Sequence, residues 1–92
     1  MTSTADAYLA RARDEIAALD VRLLSTINAR IRKVAELHRF KEEHGLPRLD
    51  PEREAWLTGY LQRVNRGPIS DDGVAELLAF VLDLVKREAA RD

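Results

Sequence analysis

Arg13, Arg30 and Lys41 are cations at spacings that a helix would turn into a pattern, and Asp50, Arg53 and Glu54 follow close behind them. Arg30 and Lys41 stand 11 positions apart. That is about three full helical turns, so the two share a face with about 16 Å of axis between them, enough for a small anion. Arg13 precedes Lys41 by 28 residues. On one helix that is about 42 Å, too far to serve the same site from the same chain, though an antiparallel second helix would bring it there. Arg13 and Lys41 also fall on the series 13, 20, 27, 34, 41 with Ile27 and Val34, positions that a packed helix fills with apolar side chains. Cations in such places need an anionic partner. The chemistry is therefore anion binding, in which guanidinium planes pair with carboxylates through two hydrogen bonds and an ammonium acts as a point charge. Taken singly each cation is an ordinary solvated helix charge, and the joint spacing is what first argues for a site.

The elements that must carry these residues are helices. The first 44 residues contain neither glycine nor proline, and Ile16, Leu19, Leu23, Ile27, Val34 and Leu37 recur at helical intervals. One helix is predicted from about Ala5 to His44. Gly45-Leu46-Pro47 breaks it, and Asp50-Pro51 opens a second helix, with Asp50 as N-cap and Pro51 at the first helical position. Leu57, Leu61 and Val64 give that helix an apolar stripe. Asn65-Arg66-Gly67-Pro68 breaks it in turn. Ser70 then caps a third helix, the most apolar, through Val74, Leu77, Leu78, Val81, Leu82 and Val85. No strand alternation, repeat or low-complexity linker interrupts this pattern.

The 92 residues make a single domain, 1–92, of all-α class, and a chain this short buries too small a share of its surface to be comfortable alone. The first helix would run roughly 60 Å against about 22 Å and 33 Å for the others, so one chain cannot cover its stripe. An intertwined twofold homodimer is the expected arrangement. A composition 46% hydrophobic and 34% charged excludes disorder, and a net charge of −1 argues against general nucleic-acid binding. Without cysteine, disulfide frameworks and thiolate metal sites are excluded. His38 and His44 lack ligand spacing, so no metal is expected. The first residues carry no basic start and apolar run, and no segment is apolar enough to span a bilayer, which makes a cytoplasmic protein without membrane contact the simplest reading. Trp56, Tyr60 and Phe80 are expected in the core or in dimer contacts, and Phe40 beside Lys41 as a shield.

An ordered set of segments resembles the all-helical, AroQ-type chorismate mutase family. It comprises Arg13-Asp14-Glu15-Ile16 with Leu19-Asp20, Leu23-Leu24, Arg30, Lys41, Leu49-Asp50-Pro51-Glu52-Arg53-Glu54 and Asn65-Arg66-Gly67-Pro68-Ile69-Ser70. The resemblance implies an isomerase that rearranges the dianion chorismate to prephenate in a pericyclic step, without cofactor or covalent intermediate, by positioning and electrostatics. It implies that Arg13 from the other subunit and Arg30 hold the carboxylates, while Lys41 contacts a carboxylate and the ether oxygen. Asp50 and Glu54 would receive the ring hydroxyl, and Arg53 would add positive charge and orient its neighbours. Lys41 is the leading catalytic residue, with Arg30 beside it.

The chain departs from the family on the third helix. Where the family offers a small polar residue and, one turn later, a glutamine or glutamate, this chain has Val85 and Ala89. Neither can donate a hydrogen bond. The departure keeps two alternatives open. One is the same scaffold acting on a related substrate, as a 4-amino-4-deoxychorismate mutase or an isochorismate pyruvate lyase. The other is a weakly active helical dimer working in complex with another shikimate-pathway enzyme.

Overall fold

The computed structural model describes residues 3–91. Three helices follow in order: α1 (Thr4–Glu43), α2 (Pro51–Val64) and α3 (Asp71–Ala89). Ser3 opens α1, its hydroxyl accepting from the Asp6 N–H at 3.0 Å. The helix then continues for 40 residues, as a stretch free of glycine and proline allows. It ends in a Schellman motif, in which the Leu46 N–H donates to the Lys41 carbonyl at 2.8 Å and the Gly45 N–H to the Glu42 carbonyl at 3.3 Å. Gly45 supplies the positive φ of 66° that this motif requires.

Asp50 caps α2, accepting the Arg53 N–H at 3.1 Å, and Pro51 follows at the first helical position. Asn65 ends α2 and ties down the connection beyond it: its amide donates to the Ile69 carbonyl at 2.7 Å and its oxygen accepts from the Gly67 N–H at 3.0 Å. Ser70 then caps α3 by accepting from the Gly73 N–H at 3.0 Å. Each cap occupies an orphan donor that an uncapped first turn would leave open.

Contacts group the chain into two compact units, Met1–Arg30 and Ile31–Asp92. In the first unit the described residues are helical from Thr4 onward, and none is buried. Its stripe faces outward: Ile16, Leu19, Leu23 and Leu24 are all more than half exposed. In the second unit α2 packs against α3. The core sits on α3, where Val74 is 7% and Val85 0% exposed. Leu57 and Leu61 of α2 and Leu78, Val81 and Leu82 of α3 are half-buried around it, while Val64 and Leu77 stay exposed. Gln62 reinforces the pair, its amide donating to the Asp71 carbonyl at 3.0 Å. Trp56, Tyr60 and Phe80 lie outside the core of the chain, at 45%, 41% and 64% exposure. No helix among the described residues is long and apolar enough to cross a membrane.

Candidate active site

Lys41 stands in the last turn of its helix, at the point where the Schellman motif turns the chain back. Its ammonium donates to the Arg48 carbonyl at 3.3 Å, which aims the charge over the α1–α2 connection. There an open cleft of about 630 Å³ is lined by Lys41, Leu46, Pro47, Leu49, Asp50, Pro51 and Glu52. The fold thus brings Lys41 and Asp50 to one cavity. A cation held at a helix end, facing a capping carboxylate across an apolar-walled cleft, can bind a small molecule carrying both an anionic and a hydroxyl group.

Arg53 and Glu54 take other positions. The Arg53 guanidinium lies 4.1 Å from the centroid of the Trp56 ring, one turn on, and Trp56 in turn stacks on Tyr60 at 5.0 Å with 8° between the planes. Glu54 is half-buried and forms an ion pair with Lys86 of α3. Its N–H donates to the Asp50 carbonyl at 3.2 Å and its carbonyl accepts from the Thr58 hydroxyl at 3.3 Å, so its place on the first turn of α2 is set.

In the first unit, Arg13 is exposed and Arg30 half-buried. Val85 is the only fully buried side chain among the described residues, so within this chain its surface goes to packing. Ala89, one turn later, is half-buried. Phe40 is half exposed and stacks on His44 at 4.1 Å. The His44 ring nitrogen Nδ1 in turn lies 2.8 Å from the Phe40 carbonyl.

Two residues escaped sequence reasoning. Lys86 follows Val85 directly, and its basic character near the end of α3 was the available signal; the pairing itself depends on how α2 and α3 cross. His38 lies one turn before Lys41, with its Nδ1 buried and without a hydrogen-bond partner. Desolvation pushes its pKa below the ordinary histidine value, and the neighbouring Arg48 and Lys41 charges push it the same way. Neutral at ordinary pH, it adds no charge beside Lys41.

The family model for chorismate mutase type II matches residues 12–89. Two solved structures of a chorismate mutase from Thermus thermophilus are similar to the chain. Form I has a TM-score of 0.82 at 29% identity, covering 85% of this chain and 98% of that one. Form II has a TM-score of 0.86 at 29% identity, covering 92% and 98%. No curated protein matches the chain.

Proposed function

Because the chain belongs to the chorismate mutase type II family, we propose that residues 1–92 act as a single catalytic domain in which Lys41 is the principal catalytic group. The enzyme is an isomerase that converts chorismate to prephenate. In this rearrangement one C–O bond breaks as one C–C bond forms within the same molecule, so no proton donor, nucleophile or cofactor is needed. The protein contributes geometry and charge. As the C–O bond lengthens, negative charge grows on the ether oxygen. An ammonium beside that oxygen then binds the transition state more tightly than the substrate, which is what accelerates the step.

The observation that carries this reading is that Lys41 lines a cleft it shares with Asp50. Arg30 takes a substrate carboxylate, and Arg13 of a second subunit takes the other. Asp50 and Glu54 receive the ring hydroxyl. Arg53, held over Trp56, contributes positive charge at the start of α2, and Val85 stands on α3 at the substrate-binding position that the family fills with a small polar residue. The assembly is a homodimer, supported by the outward-facing stripe of α1, and the compartment is the cytoplasm.

Loss of chorismate absorbance, with the product identified by chromatography, tests this in wild-type protein and in Lys41→Ala. Wild type should form prephenate, and the variant should fold normally with kcat lowered roughly 100- to 1,000-fold. A Lys41→Ala enzyme as fast as wild type would remove Lys41 from the mechanism. Val85 and Ala89 leave the ether oxygen without a donor from α3, and this favours a second reading, in which the dimer gains rate in complex with another shikimate-pathway enzyme. Turnover unchanged by such a partner would discard it.

A further inference from the structure

The Glu54–Lys86 ion pair links the first turn of α2 to the last turn of α3. We propose that Lys86 is a positioning residue for Glu54, orienting its carboxylate to accept the ring hydroxyl of the substrate; this deepens the functional reading above and rests on it.

Both ends of the pair are anchored. Glu54 is fixed through its N–H bond to the Asp50 carbonyl and the Thr58 hydroxyl on its own carbonyl. Lys86 follows Val85, whose 0% exposure pins that turn of α3 against its surroundings. The side chains of the pair are 38% and 34% exposed, so water screens them less than it does Arg87–Asp83, at 62% and 69%, or Lys33–Glu36, at 78% and 65%. Arg87 spends its charge within α3 on Asp83, whereas Lys86 reaches across to α2. The contact uses Glu54 Oε1, and Oε2 accepts no hydrogen bond among the described residues. One oxygen is thus tethered, and the other keeps its capacity to accept a hydrogen bond. Val85 and Ala89 offer no donor from α3, so the charge of Lys86, acting through Glu54, is what this helix adds to recognition.

Steady-state chorismate kinetics of wild type, Lys86→Met, Lys86→Arg, Glu54→Gln and the Lys86→Met/Glu54→Gln double variant test the assignment. Lys86→Met keeps most of the aliphatic stem and should raise KM about tenfold with a smaller change in kcat, while Lys86→Arg should recover most of the loss. In the Glu54→Gln background, Lys86→Met should cost nothing further, because the group it orients is already neutral. A KM within twofold of wild type for Lys86→Met would overturn the proposal. So would losses that multiply in the double variant, since Lys86 would then act independently of Glu54. Absence of turnover by wild type would remove the functional reading and this inference together; wild-type turnover with an unmoved KM removes the inference alone.

Discussion

His38 shows how much a single side chain near the site can report. Its buried Nδ1 has no partner, and desolvation together with Arg48 and Lys41 holds its pKa below the ordinary value of 6.5. In the unfolded chain the ring titrates near 6.5. As pH falls through that value, the unfolded state therefore takes up protons before the folded state does. Stability rises with pH wherever the unfolded state binds more protons. His38 thus contributes stability that is fully present above the ordinary histidine value and is lost as pH falls below it. Thermal melts between mildly alkaline and mildly acidic buffer should show that decline for wild type and a shallower one for His38→Gln. An unchanged slope in the variant would assign the decline to other groups. The same shift matters for the chemistry, because a neutral imidazole one turn from Lys41 adds no further positive charge to those of Arg48 and Lys41.

At the scale of elements, Asp50 has two roles that substitution can separate. Its carboxylate caps α2 through the Arg53 N–H, and it also lines the Lys41 cleft. Asparagine caps as well as aspartate does, whereas alanine costs about 1 kcal/mol at such a position. Asp50→Asn should therefore melt close to wild type and Asp50→Ala measurably lower, with KM for chorismate raised in both. If Asp50→Asn retains the wild-type KM, the residue is a cap and nothing more. Such caps were legible in the chain because they depend on neighbours within three residues: Asp50-Pro51 and Ser70 start their helices where local chemistry predicts. The predicted first helix, Ala5 to His44, differs from Thr4–Glu43 by one residue at each end, because Gly45 and Ser3 act locally. The Glu54–Lys86 pair and the seat of Arg53 over Trp56 were not legible, since the one follows from the crossing of α2 on α3 and the other from a rotamer choice.

For the whole molecule, the deciding quantity is how little apolar surface one chain covers. Val74 and Val85 are its buried hydrophobic residues among those described, while Ile16, Leu19, Val21, Leu23 and Leu24 of α1 all face solvent. Burial contributes about 25 cal/mol per Å² of apolar surface, so a stripe of this kind left in water forgoes a large share of the stabilisation a short chain needs. In the homodimer proposed above, a second copy lying along α1 would recover it, and an antiparallel arrangement would carry Arg13 to the partner's Lys41 cleft. If α1 is the interface of that dimer, wild type should sediment as a dimer and Leu23→Asp as monomer or unfolded chain in sedimentation velocity, because a charge would be buried without a counterion. A variant that sediments and melts like wild type would place the interface elsewhere.

Helix number, helix boundaries, caps and the cation series are properties of neighbours along the chain and follow from it directly: backbone hydrogen bonds within a helix span four residues, and caps span three. Which of the spaced side chains meet is a property of approach between elements. That Lys41 and Asp50 share a cleft, that Glu54 pairs with Lys86 and that Val85 goes to packing emerges only in the folded chain, because each depends on distances set by the α1–α2 connection or by the packing of α2 on α3.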